Sequence, residues 1–473
     1  MSEGELATPF RERAGRAMRD TFLQEALGIA TTKFIGLRRE AFADFPEGDA
    51  LRDRARAIKE AMLQRLDEHL ERLAASVERL GGRVHYATTP EEARAIVLDI
   101  ARRAGARTAV KSKSMASEEI LLNEALEAAG VTPVETDLGE YIIQLAHERP
   151  SHIIAPAIHK TKGQVAELFA RELKRRVAAD PEALTQVARA ELREKFLKAD
   201  LGITGANFAV AETGTVVLVT NEGNGRMVTS LPRVHVAIMG VEKVVPSMTD
   251  LMIFLAILAR SATGQKLSVY TTLVQGPRRP GELEGPDEFH LVLLDNGRIG
   301  ELAGPLREAL YCLRCGACLN VCPVYRQIGG HAYGHTYPGP IGILLTAMLS
   351  GPAAVRDLAH ASSLCGACVD ACPVRIDIPR MLLGLRRELD ERRLAPWGER
   401  IAFGLLARLL ARPRLYRLAA RVGRLLQRPF ARDGAVRGLP LALGNWTQRR
   451  DLPVIAPRTF QERWAALRRE DRR

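Results

Sequence analysis

All seven cysteines of this 473-residue chain fall between Cys312 and Cys372, in two runs that read CLRCGACLNVCP (Cys312 to Pro323) and SSLCGACVDACP (Ser362 to Pro373). Aligned on their CGAC centres the runs match in spacing, except that serine stands where the first run begins with cysteine. Soft thiolates at three-residue steps suit a cubane cluster, which needs one ligand per iron. The order C-x2-C-x2-C-x3-C-P of Cys312, Cys315, Cys318 and Cys322-Pro323 is that of bacterial ferredoxins, in whose two-cluster members the fourth cysteine of each run crosses to the other cluster. This predicts one [4Fe–4S] cluster on Cys312, Cys315, Cys318 and Cys372, and a second on Cys322, Cys365 and Cys368. Two CxxC pairs also suit an all-cysteine zinc site, but zinc does not call for two proline-terminated runs. Gly316 and Gly366 each follow a ligand, where the lack of a Cβ lets the backbone turn its N–H groups toward sulfur.

The second cluster is thereby one ligand short. Ser362 as an alkoxide would complete it, as would water, His331, His335, His360 or a group from a partner, and a three-iron cluster would need no completion. The plainer reading, preferred here, is that Ser362 or Ser363 N-caps the helix carrying Cys365 and Cys368, a position that serine favours.

A second group of polar residues lies where strands are expected to end, the usual place for a pocket in an open α/β sheet. Lys111 and Lys113 (in VKSKSMASEE), His159, Thr213, Asn221, Asn224 and Arg226 are candidates to cradle a carboxylate or phosphate, and Glu212 or Glu140 to act as a base. The bland alternative is turn glycines at Gly214 and Gly223 among solvated charges. No GxGxxG or Walker loop is present.

The elements that must position these residues follow from periodicity. Residues 1–82 read as an N-terminal helical segment, with apolar residues at three- and four-residue steps up to Gly81-Gly82. Residues 83–300 alternate short apolar strands (RVHYA, RTAVKSK, VTPVET, HIIAPA) with helices and then become richer in strand, which predicts a mostly parallel sheet covered by helices. Residues 301–385 read as a helical ferredoxin-type module, and residues 386–473 as an Arg-rich helical C-terminal region in which Pro413 splits two amphipathic helices. That last region carries 22 arginines, no lysine and 9 acids, so it alone accounts for the net charge of +12. A near-neutral body without a base-reading motif excludes nucleic acid as the expected partner. The tail is expected to pack or to dock a partner subunit, with peripheral contact to an anionic membrane as the other use of such helices. Confinement of every thiol to one site points to a reducing compartment, and no run approaches the length of a membrane span, so a cytoplasmic location is expected.

Several of these stretches together, CLRCGACLNVCPVYRQIGGHAYGHTYPGPIG, ASSLCGACVDACPV, VKSKSMASEEI and TGANFAVAETGTVVLVTNEGNGR, resemble the lactate utilization protein B family, from about Phe10 to Trp464. The resemblance implies an α/β domain similar to the glucosamine-6-phosphate deaminase/CoA-transferase (LUD) fold, followed by a helical ferredoxin with two [4Fe–4S] clusters. It implies the ligand sets given above, with serine at the fourth position of the second cluster. It also implies an electron-transfer subunit of a complex oxidising L-lactate to pyruvate, rather than an enzyme complete in itself. The implied partners are a cysteine-rich subunit similar to heterodisulfide reductases and a small LUD-domain subunit. The alternative is an α/β enzyme acting on a small carboxylate or acyl substrate, with clusters that regulate or brace it.

Overall fold

Six strands, β1 (Arg83–Ala87), β2 (Thr108–Lys111), β3 (Thr132–Glu135), β4 (Leu201–Gly205), β7 (Val234–Gly240) and β10 (Glu288–Leu294), pair in parallel in the order β1-β10-β7-β4-β2-β3. The computed structural model from which this is read describes residues 8–439, 444–447 and 450–470. A second sheet, β8-β5-β6-β9, is built from β5 (Phe208–Val210), β6 (Thr215–Thr220), β8 (Val244–Val245) and β9 (Tyr270–Val274). Every residue of β7 is buried, as expected of a central parallel strand with both faces covered. One face packs Ala93, Val97 and Ile100 of the Pro90–Arg103 helix against Ile203, Val236 and Val292. The other packs Val110, Val134 and Val228 against Phe169, Leu192 and Phe196.

Chain order reverses between β2 and β4: β3 is added on one side of β2, and β4, β7 and β10 on the other. The crevice outside the carboxyl ends of β2 and β4 is where this topology leaves room for a ligand. The sequence reading missed β4 (LGITG), whose two glycines weaken the strand pattern. Gly202 is nonetheless required, since a Cβ there would lie 2.2 Å from the Val228 carbonyl of the Asn224–Ser230 helix. Conversely HIIAPA, expected as a strand, is loop. The His152 Nδ1 accepts from the Ile154 and Ala155 amides, and Ser151 accepts from the Tyr325 hydroxyl (2.7 Å) and the Gly330 amide (3.2 Å), so the segment serves as a seat for the ferredoxin module.

The N-terminal helices Thr21–Ala43 and Gly48–Gln64 do not stand apart. Arg326 donates to Thr31, Arg260 to the Ala41 carbonyl, and the buried Arg52 donates from Nε and Nη2 to the Cys372 carbonyl (3.1 and 2.8 Å) and from Nη2 to that of Asp370 (2.7 Å). They belong to one unit that runs to Arg392. Within it the Ile378–Glu391 helix, capped by Asp377 and buried through Ile378, Met381, Leu382, Leu385 and Leu389, runs across the 385/386 boundary expected from sequence.

Residues 393–473 form a second unit. Its helices Trp397–Leu410 and Pro413–Leu426 are divided at Pro413, which takes the first helical turn of the second one. Neither buries a residue; Leu405 is 59% and Leu418 57% exposed. Among the described residues no helix is long and apolar enough to cross a membrane.

Candidate iron–sulfur site and adjoining cavity

The two cysteine runs fold into matching loops. In the first, Arg314 (φ 60°) and Gly316 (φ 72°) are left-handed and the single-turn helix Ala317–Val321 follows; in the second, Leu364 (φ 55°), Gly366 (φ 83°) and Ala367–Ala371 repeat this backbone. The two short helices pack on each other. The Cys312 sulfur accepts from the Arg314 amide at 3.4 Å, and the Ser362 hydroxyl accepts from the Leu364 amide at 3.2 Å. Ser362 therefore holds, in its own loop, the position that Cys312 holds in the other. The N-cap reading is corrected by this geometry: the Ala367–Ala371 helix begins after Gly366, with no side-chain cap, and Cys365 precedes it. The Ala367 backbone, then the Ser363 hydroxyl, hold the Cys365 thiol below its ordinary pKa.

Cys312, Cys315, Cys318 and Cys372, each 7–8% exposed, line one small cavity with Ile341, Ile376 and Ile378. Burial, then the neighbouring thiols Cys312, Cys315 and Cys372, push the Cys318 thiol far up. Four such groups ionise together only around a cation, so the donor set fits a metal cluster. Cys322 and Cys368 are buried, whereas Cys365 is exposed.

Beside the first thiol set lies a buried ionic network. Arg298 pairs with both Glu119 oxygens (2.8 Å each) and with Glu242 (2.7 Å); Arg314 bonds Glu242 (3.1 Å) and stacks on Tyr337, whose hydroxyl donates to Glu119 at 2.8 Å. The Lys59 ammonium donates to the Glu242 carbonyl. Burial alone would raise the Glu242 carboxyl, but Arg298, Arg314, Lys243 and Lys59 outweigh it and hold it at about 2. Burial lowers Lys59 to about 7 and Lys243 to about 8. Arg298 and Arg314 are held charged, which suits the negative charge of a cubane held by four thiolates.

The network forms one side of a cavity of about 960 Å³ at the switch point of the large sheet. Ser112, Lys113 and Ser114 after β2, Asp137 after β3, Gly205 at the end of β4 and Met239 of β7 line it, and Leu313, Arg314 and Cys315 close its far wall. Cys315 is thus shared with the thiol-lined cavity.

Profiles of known families divide the chain in the same way. The LUD domain matches residues 70–294, the 4Fe-4S dicluster domain 308–376, and the lactate utilisation protein B C-terminal family 389–469. Lactate utilization protein B of Bacillus licheniformis is 44% identical, covering 98% of this chain and 97% of its own length. The chain belongs to the lactate utilization protein B family. The Bacillus subtilis member is 44% identical over 98% of this chain and 97% of its own, and that of an Exiguobacterium strain 46% over 97% of each. Among solved structures, a DUF162 family protein from Deinococcus radiodurans covers 48% of this chain and 98% of its own at 12% identity, with a TM-score of 0.27.

In this family member the polar candidates scatter. Lys113, Asn221 and Asn224 line the cavity, but the amide of Asn221 is occupied by Gln265 and by the Val269 amide. Lys111 is sealed beneath it, bonded to Glu135 (2.6 Å) and Asn123 (2.5 Å). His159 bonds Glu148 at 2.6 Å and stacks edge-on against His331, which bonds the Arg149 carbonyl; His335 bonds the Ala354 backbone, and His360 is exposed. Thr213 is in the β5–β6 turn, bonded to Thr215, and Arg226 is exposed. Glu212 is exposed, away from the cavity, where it accepts from the Met248 amide; Glu140 is buried, and burial followed by Glu118 and Glu135 raises its carboxyl far above the ordinary range. Neither carboxylate is part of the cavity lining. Glu119, Glu242, Arg298 and Tyr337 were missed because their bonds join segments far apart in the chain and leave no spacing signal; Arg314, inside the cysteine run, was the one legible clue.

Proposed function

We propose that this chain is the iron–sulfur electron-transfer subunit of a complex that oxidises L-lactate to pyruvate. One [4Fe–4S] cluster is assigned to Cys312, Cys315, Cys318 and Cys372, and a second to Cys322, Cys365 and Cys368 with Ser362 at the fourth position. When bound, the clusters supply one-electron transfer. The protein's part is to hold four thiols around one cavity, to set the Arg314 guanidinium beside Cys312, and to exclude water with Ile341, Ile376 and Ile378. The observation that carries this reading is the repeated loop in which Ser362 and Cys312 make the same bond to the residue two positions on. The names of the relatives support lactate as the substrate. The partners are a cysteine-rich heterodisulfide-reductase-like subunit and a small LUD-domain subunit. The chain works at the cytoplasmic side, and its C-terminal helices dock a partner in preference to a membrane surface.

Anaerobic purification is expected to give roughly eight iron and eight sulfide per chain, as two cubanes require. Ser362→Cys is expected to keep this content and alter the EPR spectrum of one reduced cluster only; Ser362→Ala is expected to lower the iron content or broaden that same signal. Spectra of both variants identical to wild type would remove Ser362 from the cluster. Dye reduction by L-lactate is expected only when the partner subunits are added.

A further inference from the structure

The large cavity contains polar groups that nothing in the chain satisfies. The Lys113 ammonium nitrogen is buried without a hydrogen-bond partner, as are the Asn224 Oδ1 and the Arg314 Nη1 among the described residues; Asn224 is 5% and Arg314 8% exposed. All three residues are part of the same lining, two carrying N–H donors and one an acceptor. Buried polar groups are normally paired, so three orphans in one cavity point to a ligand with complementary atoms. Between them the walls are mainly apolar, including Ile142, Ile154, Leu218 and Leu258. A three-carbon hydroxy acid is far too small and too polar to fill this space. An apolar ring bearing carbonyl oxygens would meet these walls and offer acceptors to Lys113 and Arg314, and Cys315 of the first thiol set belongs to the same lining.

We propose that this cavity binds a planar conjugated ring that takes up two electrons and two protons, the chemistry shared by quinones and flavins. The inference rests on the iron–sulfur reading of the Cys315 loop. In the oxidised ring, acceptor atoms take N–H donors from Lys113 and Arg314; in the reduced ring, a new O–H or N–H donates to the Asn224 Oδ1. A cluster held by the Cys315 loop would supply the two electrons one at a time, and would be oxidised by one electron at each transfer. Two protons enter from the Lys113 and Glu222 side, where Glu222 lines the cavity and accepts from the Leu138 amide. They form two O–H bonds in a quinone or two N–H bonds in a flavin. The exposed Cys365 offers a surface point at which a partner would deliver the electrons.

The test is equilibrium dialysis of the anaerobic, cluster-loaded chain against menadione and, separately, against flavin mononucleotide, followed by EPR of the reduced protein. One of the two probes is expected to be retained and to perturb the signal of only one cluster; which one is retained distinguishes a quinone from a flavin. Ala206→Trp, which fills the cavity beside Lys113, and Lys113→Met are each expected to weaken retention by about tenfold or more, the effect of roughly 1.4 kcal/mol of lost contact. Retention of neither probe by a chain with full iron and sulfide overturns the proposal, as does retention unchanged by both variants. Iron and sulfide are measured before any probe is added, so their absence overturns the cluster reading separately.

Discussion

At the scale of single residues the two cysteine loops are a controlled comparison supplied by the fold itself. Gly316 and Gly366 occupy equivalent left-handed positions, with φ of 72° and 83°. A Cβ at Gly316 would lie 2.8 Å from the ring of the buried His152, whereas one at Gly366 meets nothing within 4 Å. Gly366→Ala therefore costs only the left-handed backbone penalty, roughly 1–2 kcal/mol. Gly316→Ala adds the displacement of a side chain that is held by Asn320 at 3.2 Å and by two backbone amides. Urea denaturation of both variants should show Gly316→Ala as the more damaging by about 1 kcal/mol or more, in the range of overpacking penalties; equal losses would mean that His152 does not constrain the loop. The same pair of loops explains why serine replaces cysteine without disturbing the backbone. A hydroxyl makes the same bond to the residue two ahead as a thiol does, so the position is kept while its ligand strength changes.

At the scale of elements, the short helix Ala367–Ala371 is too brief to be stable alone and ends on carbonyls that need donors. Arg52, from the Gly48–Gln64 helix, supplies them at Val369, Asp370 and Cys372 and places a positive charge at the helix C-terminus. Arg52→Met keeps the apolar stem and leaves those carbonyls unpaired. A loss of about 2–3 kcal/mol is expected, together with faster bleaching of visible absorbance by an iron chelator; bleaching at the wild-type rate would show that the clamp does not guard Cys372. The C-terminal helices give the opposite expectation. Their apolar side chains are exposed, so Leu405→Glu with Leu418→Glu should leave the chain's own melting temperature within a degree or two while reducing co-purification of the cysteine-rich subunit. Undiminished co-purification would rule out docking through this face. Strand and helix order was largely legible in the sequence, because β7 and β10 are continuous apolar runs and the helices carry their own caps, such as Thr89 before Pro90 and Asp377 before Ile378. Elements specified by distant partners were not legible: β4 needs two glycines for close approach, and the 151–158 loop is shaped by Tyr325 and Gly330. For the same reason Cys312, Cys315, Cys318 and Cys372, grouped by spacing, line one cavity, whereas the pocket was not legible, since Lys111 and Lys113 differ by two residues yet one is sealed in an ion pair and the other belongs to the cavity lining.

At the scale of the whole molecule, burying a parallel sheet on both faces also buries histidines that must stay neutral. His235, the second residue of β7 between β4 and β10, shares a hydrogen bond with Thr204 at 2.8 Å, and burial, with a smaller contribution from His290, lowers it to about 3. His290 on β10 contacts His85 on β1 at 3.0 Å and is lowered to about 4, chiefly by burial. A histidine free in the unfolded chain titrates near 6.5, so between that value and about 3 the unfolded state binds a proton that the folded state refuses. The contribution of His235 is therefore fully present above pH 6.5 and is lost as pH falls, at about 1.4 kcal/mol per pH unit. Acid lability of the clusters would add to any simple pH curve, but it cancels in a comparison of wild type with His235→Gln. Glutamine keeps a partner for Thr204 and does not titrate. Urea midpoints of the two proteins between pH 7.0 and 5.0 should converge as pH falls, because wild type loses a proton-linked contribution that the variant never had. Parallel curves would mean that His235 is protonated within the folded sheet, and that the sheet's core admits charge.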